Sequence, residues 1–198
     1  MREYTIVKKG AALNWQQVPA LEIDNLLWTE KSDIQAKAQL CYDEKAIYVH
    51  LSAVEENIRA EHTSVTGMPC EDSCLEFFFS PYEGDERYFN IEYNPNCCMY
   101  LGMGTNVETL VRLLPEVEPF HPEARRTEDG WEIFYTIPLS FINMFFPDFR
   151  LESGRKMRAN CFKCGDLTVN PHFFSWNPVT SETPAFHRPC DFGLMHFE

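Results

Sequence analysis

Basic residues are scarce in this chain. Seventeen lysines and arginines stand against thirty acids, a formal net charge of −13 over 198 residues. Nucleic-acid binding needs a basic face that displaces counterions, so neither a nucleic acid nor a bare anionic membrane is an expected partner. A neutral ligand or a cation suits this balance, and excess acid also serves solubility alone. Long apolar runs are missing as well; none approaches the ~20 residues of a membrane span. The start, MREYTIVKKG, has no apolar stretch behind a basic head, so no signal peptide is visible. The expected location is cytoplasmic if the chain is full length and extracellular if it is trimmed. Linkers of Gly/Ser or Pro-rich character, charge blocks and internal repeats are absent, so residues 1–198 read as one domain. There is no Gly-rich phosphate loop, nucleotide fingerprint or H-E-x-x-H helix. Helical signal is limited to PLSFINMFF (138–146), with Ser140 near its start and Pro147 after its end.

Cysteine, by contrast, is plentiful, at positions 41, 70, 74, 97, 98, 161, 164 and 190. In a cytoplasmic setting these are expected to be reduced, including the adjacent Cys97 and Cys98. CFKC places Cys161 and Cys164 at a metal-knuckle spacing, while CEDSC sets Cys70 and Cys74 four apart, a poorer match. The plain reading is that these thiols are small buried hydrophobes.

Strand patterns dominate the rest. AIYVHLSAV (46–54) alternates, with Ile47, Val49, Leu51 and Ala53 on one face; KAQLCYD (37–43) precedes it across a short turn and makes a hairpin. DSCLEFFFSP (72–81) and RYFNIEYN (87–94) form the next pair, followed by CMYLGMG (98–104). Later come GWEIFYTIP (130–138), RKMRANCFKC (155–164) and DFGLMHF (191–197), while 55–69 and 115–129 look irregular. Many short strands with little helix predict an antiparallel β-sandwich of jelly-roll or immunoglobulin type, with one or two short helices.

One hairpin face is polar. Glu76 lies on one strand and Asn90 and Glu92 on the next, on the side opposite Phe77, Phe79, Phe89 and Ile91. Facing carboxylates are unfavourable without a cation, a basic side chain or a ligand's donors. Arg158, Asn160 and Lys163 of the late strand are candidates to join them. Fixed carboxylates and amides suit the paired donor and acceptor character of sugar hydroxyls, and a flat ring suits the sugar's C–H face. PHFFSWNP (171–178), stiffened by its prolines, offers Trp176 as that ring, with His172 and Asn177 beside it. Phe173 and Phe174 read more plainly as caps on the core.

EDSCLEFFFSP, YFNIEYNPN, WEIFYTIP, NCFKCGD with PHFFSWNPV, and PAFHRPCDFGLMHF together resemble the family 9-like carbohydrate-binding modules, from about residue 20 onward. The resemblance implies a β-sandwich and non-catalytic binding of a mono- or oligosaccharide of glucan or xylan type. It also implies a clamp of two tryptophans on an end sugar. Carried over by position, it nominates Trp176, Glu76, Asn90, Glu92, Asn160 and Lys163. The clamp's other tryptophan has no counterpart in HTSVTGMPC (62–70); Met68, His62 or Trp28 would have to stand in.

Other chemistries use some of the same residues. Glu76 and Glu92 would suit a retaining glycosidase if ~5 Å apart in a deep cleft. Met99, Met103, His172 and His187 are available to haem, although no spacing singles out a pair. Calcium is possible through Asp72, Glu83 and Asp85, which otherwise read as solvated turn acids. Arg188 beside Asp191 reads as an ion pair anchoring the last strand.

Overall fold

The computed structural model describes residues 1–198. Its strands are β1 (Glu3–Lys8), β2 (Ala20–Glu22), β3 (Asn25–Leu26), β4 (Gln35–Tyr42), β5 (Ala46–Val54), β6 (Cys74–Ser80) and β7 (Tyr88–Tyr93). Then follow β8 (Met99–Gly104), β9 (Val111–Arg112), β10 (Glu123–Arg126), β11 (Gly130–Pro138), β12 (Lys156–Gly165), β13 (His172–Ser175) and β14 (Gly193–Phe197). The helix α1 (Leu139–Phe145) starts after Pro138, which has no N–H to lose, and stops before Pro147.

Two sheets face each other. The first runs β1–β14–β12–β6–β7–β8–β9, with β13 and β3 extending beside the C-terminal half of β12; the second runs β10–β11–β5–β4–β1, with β2 also on β4. β1 belongs to both. Residues 3–6 pair with β14 and residues 7–8 with β4, both in parallel. The sandwich is therefore mixed at this seam rather than purely antiparallel. Parallel partners are distant in sequence, so no local turn signal announces them.

Alternation explains the core. Leu40 and Ala38 of β4, Ile47, Val49 and Leu51 of β5, and Trp131, Ile133 and Ile137 of β11 point inward from one sheet. Leu75, Phe77, Phe79, Phe89 and Ile91 meet them from the other, within one cluster of 36 buried residues. At about 25 cal/mol per Å², a cluster of this size is the main driving force for folding. The outer face of the first sheet is not left wet. Phe78, Tyr88, Phe162 and Phe192 form a second cluster there, with Leu110, Val179 and Phe186 packed over it. The 105–110 turn and the long segment 178–192 thus cover the Phe78–Tyr88 part of that face, and Arg188 is ion-paired to Asp191 at 2.7 Å within the latter. β10 falls inside the stretch read as irregular, and β13 inside the stiffened aromatic segment.

Candidate functional site

The outer face of the first sheet carries a single cross-strand row: Ser175, Phe162, Glu76, Glu92, Tyr100, on β13, β12, β6, β7 and β8 in turn. The register puts Glu76 directly opposite Glu92, with Asn90 two residues along the same face, opposite Phe78. Two aromatic stacks flank the acids. Phe186 lies on Phe162 with ring centres 4.2 Å apart, and the Arg112 guanidinium lies 4.5 Å over the Tyr100 ring. Phe186 and Tyr100 are half-buried, as are Trp28 and Phe173, which adjoin Phe186 on the β13 side.

Both acids are buried, Glu76 at 2% and Glu92 at 5% exposure. Glu76 Oε1 accepts from the Cys164 thiol at 3.0 Å, and Glu92 Oε1 accepts from Asn90 Nδ2 at 2.9 Å. Glu76 Oε2, Glu92 Oε2 and Asn90 Oδ1 have no partner. Buried acceptors are rarely left so, because each costs on the order of 1–3 kcal/mol. Burial raises both carboxyls above the usual range, and at Glu76 the facing Glu92 raises it further. One of the pair therefore holds its proton more readily than an ordinary glutamate. The thiols of Cys74 and Cys164, which stand opposite each other, and the Glu76 carboxylate lie within 4.8 Å of one another.

The loop before β6 is fixed beside this row. Asp72 Oδ2 accepts from the Glu61 and His62 amides at 2.9 Å and from Asn94 Nδ2 at 2.7 Å, and Oδ1 faces Arg59 at 3.2 Å. Arg112 donates to the carbonyls of Val65, Thr66 and Gly67 at 3.0, 3.1 and 2.7 Å, and to Met99 at 3.1 Å.

Of the residues nominated from sequence, Glu76, Asn90 and Glu92 come together and the others do not join them. Along β13 the side chains of His172 and Phe174, and Trp176 after them, point inward, leaving Phe173 and Ser175 outside. Trp176 is 3% exposed, and its ring lies so close to Gly193 that a Cβ there would meet it at 2.4 Å. The expectation of an open indole is thus corrected: this ring fills the core. Asn160 and Lys163 are three apart on a strand and so face opposite ways. Asn160 shares the outer face, but its amide is spent on Asn177, donating to its carbonyl at 2.9 Å and accepting from its amide at 2.8 Å. Lys163 points inward, where its ammonium meets the Cys164 carbonyl at 2.8 Å, His172 Nε2 at 2.6 Å and Glu55 at 3.2 Å. Arg158 reaches the Phe192 and Gly193 carbonyls instead of the acids.

The residues proposed for other chemistries are also dispersed. Asp72 is consumed by its loop, Asp85 pairs with Arg87 at 2.5 Å, and neither converges with the other on a calcium site. His172 is internal, while His187 sits on the outer face with Nδ1 2.9 Å from the Tyr88 hydroxyl. Met99 Sδ lies 3.1 Å from the Tyr93 hydroxyl. A cleft of about 830 Å³ opens over Glu55 and His172 at one end of the sandwich. Another of about 410 Å³ lies between the 83–86 turn and His187–Cys190. Glu76 and Glu92 line neither, so the deep acid cleft of a glycosidase is not built at either. Sequence reasoning missed Phe186 and Tyr100. Their signal was faint: Tyr100 alternates with the apolar Leu101, and Phe186 lies in PAFHRP, where no periodicity operates.

Comparison with known proteins follows the same geometry. A family model described as carbohydrate-binding family 9 matches residues 8–197. The chain is similar to a candidate carbohydrate-binding protein from Bacteroides uniformis, at 28% identity and TM-score 0.86, covering 100% of this chain and 99% of that one. It also resembles in fold a family 9 carbohydrate-binding module from Caldicellulosiruptor kristjanssonii, solved with glucose (12% identity, TM-score 0.72, covering 100% and 96%). The cellotriose complex of such a module from the same organism aligns at 13% identity and TM-score 0.72, covering 100% and 94%. No curated protein matches the sequence. With 190 of 198 residues under the family model and the sandwich in place, the chain belongs to carbohydrate-binding family 9.

Proposed function

We propose that the protein binds a saccharide without transforming it, over the Glu76–Glu92 row of the first sheet. The observation that carries the reading is the trio of unpartnered acceptors, Glu76 Oε2, Glu92 Oε2 and Asn90 Oδ1, on neighbouring strands of one face. Sugar hydroxyls are the donors such a trio lacks. Phe186 and Tyr100 flank the acids and offer the ring surface that C–H groups need; Trp28 and Phe173 extend it on one side. Family membership supports the ligand class, and the glucose and cellotriose complexes of the Caldicellulosiruptor modules favour a gluco-configured ligand of one to three units. The acceptors are buried, so a bound sugar reaches them only when the side chains over them move aside.

Titration calorimetry against glucose, cello-oligosaccharides and xylo-oligosaccharides tests this. Binding is expected with at least one of them, weakened about tenfold or more (~1.4 kcal/mol) by Phe186→Ala, Tyr100→Ala or Glu76→Gln. Absence of heat across the panel for the wild-type chain would end the proposal.

A further inference from the structure

We propose that Cys74, Cys164 and Glu76 form a binding site for a thiophilic divalent metal ion such as Zn2+. Three features point there. First, Cys74 and Cys164 are directly opposed on β6 and β12, so a single register fixes both thiols on the outer face of the sheet. Second, the two sulfurs and a Glu76 oxygen all lie within 4.8 Å, with Cys164 Sγ already 3.0 Å from Glu76 Oε1. Ligands around a tetrahedral zinc, with Zn–S about 2.3 Å and Zn–O about 2.0–2.2 Å, stand roughly 3.3–3.8 Å from one another. The three donor atoms, none more than 4.8 Å from another, are thus close to the spacing a tetrahedral ion needs. Third, all three side chains are buried, and Glu76 Oε2 has no partner. A divalent cation answers the buried Glu76 carboxyl and its unpartnered oxygen at once.

The donor set selects the metal. Two thiolates and a carboxylate favour Zn2+ over the oxygen-seeking Ca2+ and Mg2+. Loading would release both thiol protons to solvent, and a further proton when Glu76 is protonated, so affinity falls in acid. The two Cys pairs of CFKC and CEDSC each contribute one member. Cys161 points into the core, and Cys70 lies in the loop outside β6, its carbonyl 3.7 Å from Cys164 Sγ. The site is therefore assembled across strands and not from either sequence knuckle.

The site shares Glu76 with the saccharide reading, so metal and sugar would compete for that carboxyl, and its test therefore contains no sugar. The reduced full chain is titrated with Co2+ and followed by absorbance, then challenged with Zn2+. One equivalent of Co2+ should bring thiolate-to-metal charge-transfer bands with intense tetrahedral d–d bands, and Zn2+ should erase them. Cys74→Ala and Cys164→Ala should each abolish the bands, and Cys70→Ala should keep them. A wild-type chain that shows no such bands overturns the proposal whatever the variants do. Bands that survive in the Cys74→Ala/Cys164→Ala chain overturn it equally. A Zn2+-induced rise in Tm for the wild type, missing in Cys164→Ala, provides a second readout.

Discussion

Lys163 is wholly buried; its ammonium donates to the Cys164 carbonyl and His172 Nε2 and is ion-paired with the Glu55 carboxylate at 3.2 Å. Because His172 Nε2 accepts, its proton sits on Nδ1, which donates to the Asn170 carbonyl at 2.9 Å. Glu55 also accepts from Ser73 Oγ at 2.7 Å. Breaking such a pair leaves a buried charge without compensation, whereas removing both charges does not. Lys163→Met should lower unfolding free energy by about 3–5 kcal/mol in urea titrations. Adding Glu55→Gln should restore most of it, since the amide oxygen still accepts from Ser73. A single variant as stable as wild type would contradict the assigned role. Trp176 makes a parallel case in the apolar core. Trp176→Ala should cost about 3–5 kcal/mol through the cavity it leaves. Trp176→Phe should retain saccharide binding, in contrast to Phe186→Ala.

At the level of strands and loops, alternation decided most of what was legible. β5 carries an unbroken apolar/polar pattern, and its bounds agree with those read from sequence. The same pattern sets Glu76, Asn90 and Glu92 on one face, because alternation alone decides the face of a strand; the 81–87 connection then puts Glu76 opposite Glu92. Trp176, Lys163 and His172 lie on the inward face, where strand alternation continued through β12 and β13 puts them. Counting in twos from Phe174 sends Trp176 inward, and counting from Asn160 sends Lys163 the other way. β1 was invisible for another reason. Its partners, β14 and β4, are distant and parallel, so only the folded chain joins them. Arg112 belongs to this scale too. From the two-residue strand β9 it holds the 65–67 carbonyls against Met99, a tie that no local pattern encodes. Arg112→Ala should free that loop, speeding amide exchange at residues 62–68 severalfold in hydrogen–deuterium exchange while leaving β5 and β11 protected. Unchanged exchange there would mean that the Asp72 contacts hold the loop unaided.

The whole molecule responds to acid through groups of opposite sign. Burial lowers His187 to about 4, and His172 likewise to about 4, with the Lys163 charge adding to burial at His172. For each, the unfolded chain takes up its proton near the ordinary histidine value while the folded chain resists. Their contribution is fully present above about 6.5 and is lost as pH falls toward about 4. Glu76 and Glu92 act the other way: raised in the fold, they contribute below the ordinary glutamate value and lose that contribution as pH climbs through their folded values. The wild-type profile therefore mixes both, and a difference between two chains isolates one group. His187 is the cleaner choice, because burial alone depresses it and Tyr88 is its polar neighbour. Relative to wild type, His187→Phe should gain stability as pH drops from about 6.5 to about 4, at most about 1.4 kcal/mol per pH unit and on the order of 2–3 kcal/mol in total. Urea midpoints for both chains at several pH values measure it. A difference that stays flat over that interval would mean that folded His187 takes up its proton as readily as the unfolded chain, against the packing of its ring on Phe78 and Tyr88.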